Sequence, residues 1–182
     1  MSMDEAPVEL YREFMRDISD EIDRENQIIE DLLLLVKMDK SAESQMTVAQ
    51  TNINEELELV LKRLRPIAKK GNVELIFESI REVTADADRM KLSLAVTNLV
   101  ENAIKYNVDS GWVRVILDAD HKYFYIKVAD SGIGIPEDSL DHIFERFFRV
   151  DKARSREVGG TGLGLAITQN VIQMHHGVID VE

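Results

Sequence analysis

Seven apolar residues, Leu10, Phe14, Ile18, Ile22, Ile29, Leu33 and Val36, step along the start of the chain at helical spacing. That periodicity predicts one long amphipathic helix from Val8 to about Met38. Between the apolar positions lie Arg12, Glu13, Arg16, Asp17, Asp20, Glu21, Asp23, Arg24 and Glu25. A helix this long, with both charge signs on its outer face, has the form of half a coiled pair more than of a surface helix packed on its own domain. The chain therefore divides into a first part, 1–45, made of this helix and the polar linker Asp39 to Gln45, and a second part, 46–182, able to fold as a domain.

Composition narrows the classes. The chain has 182 residues and no cysteine, which excludes disulfides, thiolate metal sites and thiol catalysis. Lys plus Arg is 22 and Asp plus Glu is 34, a net charge of −12. An acidic surface disfavours nucleic acid and anionic lipid, although a few local cations can still hold a small anion. The longest uninterrupted aliphatic run, Leu32 to Val36, is far short of the roughly 20 residues of a membrane span. Met1-Ser2-Met3-Asp4-Glu5 lacks the basic and apolar regions of a signal peptide. The expectation is a cytoplasmic portion whose parent protein could sit in the cell membrane.

The second part alternates helices and strands without an even βαβ rhythm. Thr47 to Thr51 is strand-like, and Asn52-Ile53-Asn54-Glu55 has the capping-box form. The helix it opens runs to Lys69-Lys70, with Gly71 as the expected left-handed stop. Val73 to Phe77 is a strand. Asp86 or Asp88 opens a helix that continues to about Tyr106. Trp112 to Leu117 and Tyr123 to Val128 form a hairpin. Leu165 to Met174 is helical, Gly177 ends it, and Val178 to Val181 begins a strand. The fold class is α+β: a two-layer α/β sandwich with a mixed sheet covered by helices.

Three segments could carry chemistry. On the helix before Tyr106, with Asn98 at zero, Asn102 falls at about 40°, Lys105 at about −20° and Tyr106 at about 80°. Leu92, Val96, Leu99, Val100, Ala103 and Ile104 fall on the other side. One stripe thus offers two amides, an ammonium and a phenol. Amide oxygens suit Mg²⁺ and a lysine suits phosphate, although a merely solvated face has the same composition. Asp130-Ser131-Gly132-Ile133-Gly134 follows a strand; its carboxylate can accept from an exocyclic amine, and its glycines allow close backbone approach. Gly159-Gly160-Thr161-Gly162-Leu163-Gly164 leads into a helix and presents backbone N–H groups to a phosphate chain. It is neither a Walker loop nor a Rossmann fingerprint. Between these segments, Phe144-Glu145-Arg146-Phe147-Phe148-Arg149, followed by Lys152, Arg154 and Arg156, forms an aromatic and basic stretch suited to a lid over about Ile135 to Gly159.

The order of these segments resembles the catalytic ATP-binding domain of bacterial sensor histidine kinases, within the GHKL superfamily. Asn98-Leu-Val-Glu-Asn102-Ala-Ile-Lys105-Tyr106 is similar to its N box and Asp130-Ser-Gly132-Ile-Gly134 to its first glycine box. Phe144-Glu-Arg-Phe-Phe148-Arg149 resembles the F box, and Gly160-Thr-Gly162-Leu-Gly164 the second glycine box. The likeness runs from about Met46 to the end. The leading helix resembles the second helix of the family's dimerisation hairpin.

What the resemblance implies is specific. Asn102 ligates Mg²⁺, with Asn98 supporting the metal–phosphate site. Lys105 meets phosphate and Tyr106 lines the pocket. Asp130 accepts from the adenine amino group, and Gly132 and Gly134 give the base room. The turn Gly160, Thr161, Gly162, Leu163 and Gly164 cradles the phosphates, and Arg149 reaches the terminal one. Asn98, Lys105 and Arg149 would then carry catalysis by positioning and charge neutralisation. Mg-ATP or Mg-ADP, a histidine-bearing dimerisation helix, a response-regulator receiver domain and a homodimer through the first helix are the implied cofactors and partners. The alternatives are a hydrolytic ATPase, a serine kinase of the same superfamily, and a silent nucleotide-binding module. The hydrolytic and serine-kinase relatives place a glutamate where Asn98 stands, and Glu101 lies about 100° round the helix from Asn102.

The resemblance has gaps. Its phosphoacceptor is a histidine followed by an acid, early in the first hairpin helix. The four histidines here are His121, His142, His175 and His176, in exposed or capping contexts. Asp20 stands in a stretch similar to an acceptor box, but Asp31-Leu-Leu-Leu-Leu35 follows too soon, so Asp20 is read as part of the second helix. The expectation is a shortened chain without the first hairpin helix and the last strand. His176 stands where the family has a glycine.

Overall fold

The computed structural model describes residues 8–40, 46–150 and 160–182. Residues 41–45 of the expected linker, Gly159 and the basic residues Lys152, Arg154 and Arg156 lie outside the described residues. The first element, α1, spans Val8–Lys40, so Asp39 and Lys40 extend the helix rather than begin a linker, and Asp20 falls within it. From Val8 to Asp23 its described side chains are exposed.

A small antiparallel pair follows. Strand β1 (Val48–Asn52) pairs with β3 (Thr84–Asp88), Val48 opposite Asp88. Strand β3 was not expected. Asp86 lies inside it opposite Gln50, and Asp88 alone caps the next helix. Between the two strands, α2 (Ile53–Lys70) opens on the Asn52 cap, whose side chain accepts from Glu55 N–H at 3.2 Å. The reciprocal bond runs from Asn52 Nδ2 to Glu55 Oε1 at 3.1 Å, so the box closes on the cap's own amide. Ile53, Leu57, Val60, Leu61, Leu64 and Ala68 bury one stripe of α2.

The main sheet is mixed. Strand β2 (Glu74–Ser79) runs parallel to β4 (Trp112–Ala119), and β4 runs antiparallel to β5 (Phe124–Asp130), Val113 opposite Asp130. Along β4, Val113, Val115 and Leu117 are fully buried while Arg114 and Ile116 on the other face are half-buried. The buried face meets α2 and α3 (Arg89–Lys105), joining Leu57, Val60, Leu61, Val96, Val100 and Ile104 in the main core. Burying each such side chain contributes about 1.5–3 kcal/mol. Buried Glu56 accepts from Arg89 Nε and locks α2 to α3. A second core lies beyond α3: Leu35 and Met38 of α1 pack with Ala95, Leu163, Ile167 and Val171, the last two on α4 (Gly164–Met174).

Two local assignments differ from expectation, at Gly71 and at Val178 to Val181, while Gly177 ends α4 for a reason of space. Gly71 has φ −84°, and Asn72 takes the left-handed conformation at φ 53°. The Asn72 amide bridges to Asp109 Oδ1 at 3.0 Å and Ser110 Oγ at 2.9 Å, which ties that conformation to the loop before β4. At the end of α4, His176 is left-handed at φ 56°, while Gly177 donates its N–H to Ile172 O at 2.9 Å. A β-carbon on Gly177 would stand 3.0 Å from Ile172 Cγ2, so glycine is there for space, not for φ. Val178 to Val181 is not a strand; the segment meets β5 through Lys127 and Glu182 at 2.8 Å, without a backbone ladder.

Asp88 joins these layers. It is 2% exposed, caps α3 by accepting Lys91 N–H at 3.1 Å, and accepts Thr47 N–H and Lys91 Nζ at 2.9 Å. Its own N–H donates to His175 Nε2 at 3.0 Å, and His175 Nδ1 lies 2.8 Å from Val171 O. That pairing holds His175 as the neutral tautomer protonated on Nδ1. Burial alone would raise the Asp88 carboxyl, but the bonds from Lys91 and Thr47 outweigh it and hold it below the ordinary value. Its stabilisation is therefore complete above the ordinary carboxylate range and is lost as pH falls through the lowered native value. Chemical denaturation of Asp88→Ala at neutral pH should show a loss of about 1–2 kcal/mol. The gap to the unsubstituted chain should narrow below about pH 4.

Candidate functional site

The site is built where the C-terminal half of α3 faces the glycine turn before α4. The 3.6-residue period puts Asn98, Asn102 and Lys105 on the side of α3 turned away from the sheet, where all three are half-buried. Asn98 Nδ2 donates to Gly164 O at 3.1 Å, which fixes the start of α4 against α3. At the far end of the turn, a β-carbon on Gly160 would stand 3.3 Å from Lys105 Nζ and 3.6 Å from Tyr106 Oη. The N-box stripe and the second glycine segment are thus one surface.

The aromatic segment closes on the same turn. Phe147 donates its N–H to Gly162 O at 2.9 Å and is left-handed at φ 65°. Gly162 has φ 73°, and a β-carbon there would fall 2.9 Å from Phe147 Cα, so both conformation and space demand glycine. Arg149 follows with its Nε and Nη2 buried and without a partner among the described residues. A buried unpaired donor costs about 1–3 kcal/mol, so this guanidinium is set up for an acceptor such as a phosphate oxygen.

Electrostatics mark the same place. The Lys105 ammonium is held below its ordinary pKa, first by desolvation, then by Arg149 and more weakly by Arg24, with Glu101 opposing. Glu101 is pushed upward by desolvation against the pull of Lys105. In a chain of net charge −12 this is a local excess of positive charge.

The first glycine segment joins through backbone. Gly132 sits where a β-carbon would lie 2.5 Å from Tyr106 O, and Ile133 N–H donates to that oxygen at 3.1 Å. Asp130, exposed at the end of β5, accepts Gly132 N–H on Oδ1 at 2.8 Å, which leaves Oδ2 without a hydrogen-bond partner among the described residues. Gly134, at φ 71°, has open space around it. The structure therefore brings Asn98 to Gly164 and Lys105 and Tyr106 to Gly160 by direct approach, with Gly162 held by Phe147 and Arg149 acting on Lys105 by its charge. Asp130 and Gly132 are linked to them through Tyr106, and Gly134 stands apart. Asn102 lies one turn after Asn98 on the same stripe. Among the described residues no three His, Asp or Glu side chains gather into a cation site. A Mg²⁺ ion carried by phosphates and touched by one amide needs no such cage, so the Asn102 carboxamide and the cationic rim fit a metal–phosphate group.

Two functional residues were missed in the sequence, both on α1. Thr161 Oγ1 donates to Asp31 Oδ2 at 2.9 Å and accepts Leu163 N–H at 3.2 Å. The charge of Arg24 contributes, after burial, Arg149 and Glu101, to the shift of Lys105. The available signal was the spacing Arg24, Ile28, Asp31, Leu35, Met38, whose steps of four and three residues define a second helical face.

Comparison with known proteins gives the family and the fold. A family model described as histidine kinase-, DNA gyrase B-, and HSP90-like ATPase matches residues 87–182. The chain is 36% identical over 169 residues to the sensor histidine kinase WalK of Bacillus subtilis, covering 91% of this chain and 27% of that protein. It is 38% identical over 164 residues to the sensor histidine kinase RppB of Synechocystis, covering 87% and 35%. It thus spans about a quarter to a third of these curated relatives. Among solved structures, the nucleotide-free catalytic domain of histidine kinase ThkA aligns with a TM-score of 0.63 at 29% identity, over 70% of this chain and 81% of that one. A ThkA structure in complex with response regulator protein TrrA shares the fold over 97% of this chain, TM-score 0.72 at 24% identity.

Lys105 supplies a direct test of the anion site. An anion beside Gly160 favours the charged ammonium and so raises the lowered lysine pKa. Between the free and bound values, binding must take up a proton. Calorimetric titration with Mg-pyrophosphate at alkaline pH, in buffers of different ionisation enthalpy, should show proton uptake that disappears at neutral pH and in Lys105→Met.

Proposed function

Since this chain belongs to the family of histidine kinase-, DNA gyrase B- and HSP90-like ATPases, we propose that it binds Mg-ATP on the surface shared by α3 and the glycine turn and serves as the catalytic domain of a sensor histidine kinase. The observation that carries the reading is the approach of Lys105 and Tyr106 to Gly160, with the buried Nε and Nη2 of Arg149 left without a partner among the described residues. In the reading, residues 46–182 form the catalytic domain and 1–45 the dimerisation helix and linker. Asp130 Oδ2 accepts from the adenine amino group, with Gly132 and Gly134 leaving room for the base. The backbone of Gly160, Thr161, Gly162, Leu163 and Gly164 receives the phosphates. Asn102 holds Mg²⁺, which neutralises phosphate charge when bound. Lys105 and Arg149 orient the terminal phosphoryl group for an in-line acceptor.

The acceptor in this reading is an imidazole on a dimerisation helix. Its nitrogen bonds to the terminal phosphorus as the bond to the ADP oxygen breaks, and its proton leaves to a neighbouring acid. The exposed stripe of α1 is the proposed seat of that helix and of a second copy, and a receiver domain is the proposed phosphate sink. The hydrolytic alternative lacks its base: the Asn98 carboxamide is occupied by Gly164 O, and no carboxylate stands one turn before Asn102.

Two measurements test the proposal. Calorimetry with Mg-ADP should show affinity falling about ten- to a hundredfold in Asp130→Ala, and weaker Mg²⁺ dependence in Asn102→Ala. Unchanged affinity in Asp130→Ala would refute the pocket. The second concerns phosphorylation of the 182-residue chain itself. His121 is exposed in the hairpin, His175 is held by two bonds, and His176 closes α4. His142, paired with Glu145 at 2.7 Å, is held above the ordinary pKa by that carboxylate, a shift that favours the protonated, non-nucleophilic imidazole. Incubation with γ-labelled ATP should therefore leave no base-stable, acid-labile label, and stoichiometric label of that kind overturns the assignment.

A further inference from the structure

Helix α1 presents a buried line that has no place in the reading above. Measured from Arg24, the residues Ile28, Asp31, Leu35 and Met38 all lie within about 40° of one direction. All five are half-buried or buried. Tyr11, Met15, Ile18, Ile22, Ile29, Leu33 and Val36 lie at about 120° to 180° from it, and all are exposed. Leu35 and Met38 are 1% and 3% exposed in the core with α4. One to two turns earlier, Asp31 accepts the Thr161 hydroxyl at 2.9 Å, so the same line grips the glycine turn. Two further turns earlier on the same line lies Arg24, whose charge contributes to the lowering of Lys105.

Arg24 is poorly satisfied where it is. Its Nε is buried and without a partner among the described residues, and its Nη1 lies 3.6 Å from Glu21 Oε2 on the same helix. Arg149 Nε and Nη2 are in the same condition. Arg24 on α1 and Arg149 in the aromatic segment both act by charge on Lys105 at the end of α3, whose ammonium stands beside Gly160. Like charges brought together repel, and unpartnered guanidinium donors among them are the arrangement that a multiply charged anion stabilises.

We propose that Arg24 is a phosphate-binding residue contributed by α1: with α1 docked on α4, its guanidinium joins Lys105 and Arg149 around the terminal phosphate of the bound nucleotide, and the Asp31–Thr161 hydrogen bond sets its register. The inference rests on the nucleotide reading of the Gly160 turn. It makes helix docking and triphosphate binding reciprocal, because whatever α1 adds to phosphate affinity the phosphate adds to α1 docking.

The test is calorimetry on the full chain with Mg²⁺ and three probes: a non-hydrolysable ATP analogue, ADP and AMP. Arg24→Ala should weaken the ATP analogue about tenfold, ADP less, and leave AMP unchanged. Asp31→Ala should show the same order of losses. The double variant should bind no worse than Arg24→Ala alone, since Arg24 acts only from the docked helix. AMP binding reports an intact adenine pocket in each variant. Equal losses for all three nucleotides, or none, in Arg24→Ala would overturn the role of Arg24. Loss of binding in Asp130→Ala with the preference for ATP over ADP untouched in Arg24→Ala removes Arg24 and leaves the nucleotide site standing. No binding of any nucleotide by the unsubstituted chain removes both.

Discussion

The hydrogen bond from Asn98 Nδ2 to Gly164 O, 3.1 Å long, is the point from which the rest of the site is measured. Gly164 O also accepts Thr168 Oγ1 at 2.9 Å, and Thr168 is fully buried within reach of Ala95 O at 3.5 Å. The first turn of α4 is thus held on α3 by polar contacts on one side and by Ala95, Leu163 and Ile167 on the other. Lys105 lies two turns along α3 from Asn98, and Gly160 lies four residues before Gly164. Fixing the one pair brings the other together. Glycines at 160 and 162 then matter for different reasons: the first admits Lys105 and Tyr106, and the second accepts a positive φ under Phe147.

Legibility followed locality. The division of α3 into an apolar and a polar stripe, the Asn52 cap, the β4–β5 hairpin and the glycine turn each depend on a few neighbouring residues, and each was readable, whereas the choice of Asp88 over Asp86 as the α3 cap waited on strand β3. Strand β3 was not, because Thr84-Ala-Asp-Ala-Asp88 is short and polar and becomes a strand only by pairing with distant β1. Asn72 overrode Gly71 for a tertiary reason, its bonds to Asp109 and Ser110. Val178 to Val181 has strand composition, but a strand exists only by a ladder, and this segment meets β5 through one ion pair. Arg24 and Asp31 were hidden by the hydrophobic pattern itself. The most regular apolar stripe of α1 is its exposed face, whereas the face that touches the rest of the chain mixes charge with Leu35 and Met38. Periodicity finds a stripe, but it cannot say which neighbour the stripe meets.

The proposed binding of a polyanion by an acidic protein sets distant charges against near ones. The net charge of −12 repels a nucleotide at long range, yet at about 0.1 M salt that repulsion is screened beyond about 10 Å. Contacts inside the site are shorter than this and partly desolvated, so they are screened less. The desolvation that lowers Lys105 strengthens its attraction for a phosphate once the ion pair forms. Glu101 moderates the repulsion among Lys105, Arg149 and Arg24 without neutralising it.

The two faces of α1 belong to one helix of 33 residues, and that couples them mechanically. No described helix is long and apolar enough to cross a membrane; α1 packs on α4 through Leu35 and Met38. Side chains stand about 5–6 Å from a helix axis, so a rotation of about 30° carries each tip by about 3 Å. The buried contacts of Leu35 and Met38 are non-directional and tolerate such a shift better than a hydrogen bond does. The Asp31–Thr161 bond, at 2.9 Å, does not survive it. A partner that re-registers the exposed stripe, as the proposed dimer contact would, must therefore move Asp31 and Arg24 by the same angle. Apolar docking at the α4 end can persist while the polar grip on the glycine turn is broken or made, so the glycine turn responds to rotation of α1 at angles where the core does not.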